Sequence, residues 1–174
     1  MSDDYRPAVA NSYLEGPEVR RLDVQTFGRC RLERVVDLSA PAVATAEVAG
    51  GPIALRRAVV GEARAGEVLP LALYWEAAEP VGESYTVFTQ LFDAGGRLVA
   101  QQDNPPAGGR RPTDTWSPGE LVRDPYALAL PADAPAGRYT LWVGLYNAAG
   151  HRPLRLADGS PADHVELPVE VTAR

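Results

Sequence analysis

Residues 101–120, QQDNPPAGGRRPTDTWSPGE, form a segment with hardly an aliphatic side chain but several groups that can bind a ligand. Aromatic rings can stack on a sugar ring, while guanidinium and carboxylate groups can hydrogen-bond hydroxyls. The candidate ligand-binding residues in and around this segment are Asp103, Arg110, Arg111, Asp114, Trp116 and Tyr126. Connections of this length are unusual in compact domains and are often functional or disordered.

A structural role for the same segment is the favoured interpretation. Its several prolines restrict the backbone, and Trp116 is too large an apolar surface to be left in water without cause. We therefore expect an ordered loop in which Trp116 pins the segment onto the rest of the domain. In this hypothesis Asp103 and Thr113 bind backbone amides that have no strand partner.

Signs of metal binding or catalysis are weak in this sequence. Oxygen ligands that calcium would accept occur in the segment, at Asp103, Asn104, Asp114, Thr115 and Glu120. Such residues next to proline and glycine more often make turns and caps, so we predict no metal and no cofactor.

The catalytic residues of common hydrolases are equally hard to find. There is no G-x-S-x-G motif, and the two histidines, His151 and His164, are expected at a turn and at a strand start without a functional role. No spacing of carboxylates fixes the facing pair that a glycoside hydrolase needs. We predict a protein that is not an enzyme, with glycoside hydrolase as the outside alternative.

Charge and apolar content restrict the partners. The net charge of −6 argues against nucleic acid and against anionic membranes, because both demand clustered cations. No apolar run approaches the roughly twenty residues of a membrane span, so none is expected in this chain. The single cysteine, Cys30, excludes an intramolecular disulfide.

The sequence predicts that β-strands position the candidate ligand-binding residues. Sixteen glycines and sixteen prolines in 174 residues interrupt the chain too often for long helices. Between residues 53 and 172 seven strand-like runs are separated by turn signals, which predicts an all-β fold: an antiparallel β-sandwich of immunoglobulin-like or jelly-roll type. The runs are PIALRRAVV, EVLPLALYWEA, YTVFTQLFD, RLVAQQD, ELVRDPYALAL, GRYTLWVGLYN and HVELPVEVT.

Alternation and turn chemistry refine this prediction. Alternate residues from Leu69 to Trp75, and from Tyr139 to Leu145, place one apolar row of each strand on a common core. The opposite face of the second strand carries Trp142 and Tyr146 and is neither plainly solvent nor plainly core. The sequence DAGGR predicts a tight hairpin turn. The sequence LPADAPAGRYTLWV is typical of a tyrosine corner, with Tyr139 as the structural tyrosine.

The first fifty residues are expected to be organised differently from the sandwich at 51–174. Residues 1–16 lack periodicity and predict a flexible lead-in, and residues 19–38 suggest two short strands or an irregular segment that wraps the sandwich. The small-residue stretch SAPAVATAEVAGGP, residues 39–52, predicts a linker.

Three sequence stretches resemble a known family. AGEVLPLALYWEA, YTVFTQLFDAGGRLVAQQDNPPAGGRRPTDTWSPGELVRD and LPADAPAGRYTLWVGLYNAAGHRPL are similar to the soluble C-terminal β-sandwich domain of bacterial membrane glycosyltransferases related to dolichyl-phosphate-mannose:protein mannosyltransferases. The resemblance implies a non-catalytic accessory module, extracytoplasmic or at the cell surface. Its partners would be a carbohydrate or the membrane glycosyltransferase. The alternative is a structural or protein–protein interaction domain with no ligand of its own.

Overall fold

A computed structural model of the chain describes residues 19–27, 30–37, 42–46, 48 and 51–173. The chain divides into two compact units, Met1–Pro41 and Ala42–Arg174. The expected lead-in, residues 1–16, lies outside the described residues.

The first unit contains a pair of antiparallel strands. They are β1 (Val19–Phe27) and β2 (Cys30–Asp37), and their closest residues in sequence, Phe27 and Cys30, are paired. The segment that was expected to give two short strands or an irregular structure is therefore a hairpin of two strands.

The described part of the second unit contains twelve strands and a single short turn of 3-10 helix. The strands are β3 (Ala44–Ala46), β4 (Ile53–Val60), β5 (Ala63–Arg64), β6 (Val68–Ala77), β7 (Thr86–Asp93), β8 (Leu98–Asn104), β9 (Leu121–Ala129), β10 (Gly137–Asn147), β11 (Gly150–His151), β12 (Leu154–Leu156), β13 (Pro161–Ala162) and β14 (Val165–Thr172). All seven runs that the sequence predicted are strands, which confirms the all-β class.

Two sheets contain these strands. One has the order β5-β14-β10-β7-β8, with β11 paired to the end of β10, and the other has the order β13-β12-β3-β4-β6-β9. Every pairing is antiparallel except the one between β14 and β5. The long strands divide between the sheets as in immunoglobulin-like sandwiches, which is the first of the two predicted types.

The core lies between the sheets and is built from alternate residues, as predicted. Inward-facing residues of β6 and β10 are buried: Leu69, Leu71, Leu73, Trp75, Tyr139, Leu141, Val143 and Leu145. Because side chains alternate across a strand, the residues between them on β10 must face outward. The outward-facing residues of β10 include Trp142 and Tyr146.

Two predicted turns are confirmed by their hydrogen bonds. In the DAGGR hairpin between β7 and β8, Asp93 accepts hydrogen bonds from the amides of Gly95 and Arg97, and Gly96 has a φ of 78°. In the tyrosine corner, the Tyr139 hydroxyl donates to the carbonyl of Pro135 at 2.8 Å. The first set of hydrogen bonds holds the turn between β7 and β8, and the second ties the start of β10 to the turn before it.

The expected linker at residues 39–52 is wrong in part. It contains β3, whose residues Ala44 and Ala46 are buried and which pairs with β4 and β12. The small side chains of Ala44 and Ala46 allow close packing of β3 in the core. Across the stretches that the structure describes, none of the helices has the length and apolarity to cross a membrane.

Candidate ligand-binding surface

The long loop between β8 and β9 is held against the sandwich by Trp116. The Trp116 side chain is 3% exposed and belongs to the core cluster. Its Nε1 donates to the carbonyl of Arg111 at 2.9 Å, so the polar atom of the ring is satisfied within the loop. A ring buried in this way favours the structural hypothesis over a stacking platform.

Thr113 joins the loop to the chain before β7. It begins the 3-10 helix Thr113–Thr115 and is buried. Its hydroxyl donates to the Glu83 carbonyl at 2.7 Å and accepts from the Tyr85 amide at 2.9 Å. This is the role expected for Thr113, because it supplies a partner to a backbone amide outside the strand ladder.

A buried carboxylate that the sequence did not single out anchors the start of the loop. Asp124 in β9 is fully buried and accepts hydrogen bonds from the Ala107 amide at 2.8 Å, the Tyr126 hydroxyl at 2.8 Å and the Trp75 indole at 3.2 Å. Ala107 has a φ of 55°, an uncommon conformation for a residue with a side chain. Burial raises the pKa of Asp124, although the three hydrogen bonds act against that shift.

The six candidate residues from the sequence do not converge on one surface. Trp116 and Tyr126 lie in the core, and Arg111 pairs with Glu120. Arg110 and Asp114 are exposed, and Asp103 lies in β8. The hydrogen bond from Arg111 holds the pKa of Glu120 below its ordinary value. Within the described parts of the chain, no group of three or more His, Cys, Asp or Glu residues is arranged to hold a metal ion.

The sheet that contains β7 and β10 carries a row of aromatic side chains on its outer side, which we call the aromatic face. Its members alternate with the buried core residues along the strands or follow at their ends: Phe88, Phe92, Trp142, Tyr146, His151 and His164. They form two groups of contacting rings. Except for Phe88, each of them is partly or fully accessible to solvent.

One group of rings extends from β7 across β10 to the residue that precedes β14. The Trp142 ring lies at a centroid distance of 4.4 Å from Phe92 and 3.8 Å from His164, and is nearly parallel to the His164 ring. The His164 imidazole is further held by Asp163 at Nδ1 and by Glu166 Oε1, 3.2 Å from Nε2. His164 thus has more partners than a surface histidine at a strand start was expected to have.

The other group depends on a glycine. A Cβ on Gly144 would lie 2.4–2.5 Å from two ring carbons of Phe88, so the Phe88 ring lies directly against this part of β10. His151 stacks on Phe88 at 5.0 Å, and Tyr146 lies within 6.4 Å of the Phe88 ring. The absent side chain at Gly144 leaves room for the Phe88 ring where the two strands meet.

Polar side chains border the aromatic rings. Cross-strand pairing places Gln90 and Glu166 on either side of Trp142, and Asp103 beside Phe88. Partial burial raises the pKa of Asp103, while the nearby Thr89 backbone and Tyr146 hydroxyl act against this shift. Amide and carboxylate groups next to aromatic rings are suited to a ligand with both C–H surfaces and hydroxyls.

A cleft of about 530 Å³ adjoins the aromatic face between β14 and the β12–β13 pair. His164 and Glu166 line it on one side, and Val43, Leu156 and Leu167 supply its apolar wall. Its volume is in the range of small-molecule sites, which are mostly apolar with a few placed polar groups.

The comparisons with known proteins concern the fold alone. No protein-family model and no curated protein matches the sequence. Among solved structures, the chain is similar to a β-glucuronidase from glycoside hydrolase family 2, with 11% identity, a TM-score of 0.44 and coverage of 66% of this chain and 11% of that one.

Two further solved structures are similar to the chain at comparably low identity and TM-score. The C-terminal domain of wzt has 11% identity, a TM-score of 0.49 and coverage of 75% of this chain and 78% of that one. A β-glucosidase from Listeria innocua in complex with glucose has 15% identity, a TM-score of 0.39 and coverage of 66% and 16%. The neighbours thus include two sugar-processing enzymes, of which this chain spans a small fraction, and similarities at this level carry no argument about function.

Proposed function

We propose that the chain is a non-catalytic carbohydrate-binding module and that the aromatic face with its adjoining cleft is the binding surface. The observation that carries this proposal is the Phe92, Trp142 and His164 row with Gln90 and Glu166 beside the indole. The C–H face of a sugar ring packs on aromatic carbon, and its hydroxyls bond to amide and carboxylate oxygens.

The positions of the carboxylates on this face support a role without catalysis. Asp103 in β8 and Glu166 in β14 are separated by the width of three strand spacings, about 14 Å. A glycoside hydrolase needs its two carboxyl groups about 5–9.5 Å apart. Asp163 and Glu166 are closer to each other, but the His164 ring lies between them.

The wider role that we propose is that of an accessory domain. The resemblance of residues 53–172 to the sandwich attached to bacterial membrane glycosyltransferases supports a module that holds a glycan near such an enzyme, outside the membrane. The net charge of −6 accords with a partner that is not a polyanion.

Binding to a glycan array, followed by calorimetry with the retained saccharides, tests this proposal. Trp142→Ala should weaken binding at least about tenfold, a loss of roughly 1.4 kcal/mol, because the ring lies at the centre of the face. The matched control is Val68→Ala, an exposed apolar residue of the other sheet, which should bind like the wild type. Equal binding by the two variants, or no retained glycan, would contradict the proposal.

The second candidate is a protein-interaction domain, favoured by the same partly exposed aromatic face. Protein interfaces are enriched in aromatic residues, and an exposed apolar patch often marks one. In that case the array would retain nothing, whereas a glycosyltransferase co-expressed with the chain would be captured by the wild type and not by Trp142→Ala.

A further inference from the structure

The charges around the aromatic face are predominantly negative. Asp103 borders it on the β8 side, and Asp163 and Glu166 border it on the β14 side, with side chains that are 70% and 63% exposed for the last two. These carboxylates are placed where they would meet the substituents of a bound sugar.

Cationic groups on the same sheet are engaged or distant. Arg138 lies at the beginning of β10, directly across from Glu170, and Trp142 lies four residues further along the strand, about 13 Å away. Arg97 at the β7–β8 turn is paired with Asp93. His151 and His164 belong to the aromatic groups themselves, and His164 contacts two carboxylates. Arg152, which follows His151, has its guanidinium over the Tyr85 ring, 5.9 Å from the centroid. Among the described residues of this sheet, the arginines are thus paired or lie several residues away, and an anion on the aromatic rings would face the three acids.

We propose that the aromatic face binds saccharides without anionic substituents and rejects those that carry carboxylate, phosphate or sulfate groups. This inference rests on the proposed function and specifies the class of sugar. Juxtaposed like charges weaken association, and the effect is largest where the ligand excludes water from the charges. The same carboxylates attract the ammonium groups of amino sugars, so a basic saccharide binds at least as well as its neutral analogue.

The test uses three hexasaccharides that share a β-1,4-linked glucan backbone and differ in charge. They are cellohexaose, the glucosamine hexamer of chitosan and the glucuronic acid hexamer, measured by calorimetry at pH 6 and low salt. We expect the neutral and basic hexamers to bind and the uronic acid hexamer to bind at least about tenfold more weakly. If this backbone is not retained on the array, the same three charge forms of the retained backbone are used.

A charge-neutralised variant identifies the source of the selectivity. Asp103→Asn, Asp163→Asn and Glu166→Gln together should bring the three affinities within about threefold of one another. The matched control changes three exposed acids outside the face, Glu62→Gln, Glu67→Gln and Asp133→Asn, and should keep the wild-type selectivity. Because the first variant can lose stability, wild-type binding at high salt gives a second readout, in which screening should narrow the difference between the hexamers.

The outcomes separate this inference from the proposed function. Binding of all three charge forms with equal affinity, or selectivity unchanged by the Asp103, Asp163 and Glu166 substitutions, would overturn the inference while leaving a carbohydrate-binding module. Failure to bind any saccharide in any charge form would overturn the proposed function itself.

Discussion

At the scale of single residues, the long loop depends on two side chains that are both buried, Trp116 and Asp124. One contributes apolar area to the core, and the other satisfies three donors that would otherwise have no partner. Their contributions to stability differ in kind and should be separable by mutation.

Replacing Trp116 with alanine should lower the free energy of unfolding by about 3–5 kcal/mol, as truncation of large buried side chains does. The loss comes from the apolar contact and from the hydrogen bond to the Arg111 carbonyl. Denaturant unfolding at constant pH measures it. A change below about 0.5 kcal/mol, as at ordinary surface sites, would contradict a structural role for this ring.

Replacing Asp124 with asparagine should cost about 1–3 kcal/mol, although the two side chains have nearly the same shape. The amide group has one acceptor oxygen, so either orientation turns its NH2 toward a donor, the Ala107 amide or the Trp75 indole. The same denaturant measurement applies, with Asp133→Asn at an exposed turn as the control that should change little.

The difference in the free energy of unfolding between the wild type and Asp124→Asn should depend on pH, and the pKa shift of Asp124 gives the direction. Burial raises the pKa of Asp124 above its ordinary value of 3.8, so the stability linked to this group is complete below that value and is lost as the pH rises through the folded-state pKa. The asparagine variant lacks this titration. The wild type should therefore gain stability relative to Asp124→Asn as the pH is lowered from 7 toward 4, and a difference that shrinks on acidification would contradict the assignment.

At the scale of elements, the arrangement of the aromatic face around Phe88 depends on the contact between β7 and β10. Phe88 from one strand fills the space that Gly144 leaves on the other. The ring contacts with His151 and Tyr146 follow from this placement.

Gly144→Ala should destabilise the domain by about 1–3 kcal/mol and weaken glycan binding, because the new methyl group would displace the Phe88 ring and would also lie 3.0 Å from the Asp163 carbonyl oxygen. Phe88→Ala in the same chain should relieve the overlap, so that the double variant loses less than the sum of the single changes. Additive losses would show that the two residues do not share this space. Gly95→Ala, in an exposed turn, is the matched control.

At the scale of the whole molecule, the buried core of the described residues is contained in the unit Ala42–Arg174. Both sheets and the aromatic face belong to that unit. A core of this kind from about 130 residues is sufficient for an independent domain.

A chain shortened to residues 42–174 should therefore fold cooperatively, give an all-β circular dichroism spectrum and keep the glycan binding of the full chain. Thermal unfolding followed at two wavelengths, together with binding of the same saccharide, tests this. Non-coincident transitions or substantial helix would contradict it.

The sequence by itself determined the seven long strands, the DAGGR hairpin and the tyrosine corner, because alternation and turn chemistry are local properties. It also indicated that Trp142 and Tyr146 share an unusual outer face. It could not reveal strands of two or three residues such as β5 and β13, which are too short to show a pattern.

Only the tertiary structure decided which faces meet. It brought Phe88 of β7, Trp142 of β10 and His164, which precedes β14, onto one surface, and it buried Asp124 beneath a loop that begins some twenty residues earlier. It also placed Trp116 and Tyr126 in the core, where the sequence allowed either core or ligand. The physical reason is that the side-chain period fixes which face of a strand a residue occupies, whereas the neighbours of that face depend on the order in which distant strands pair.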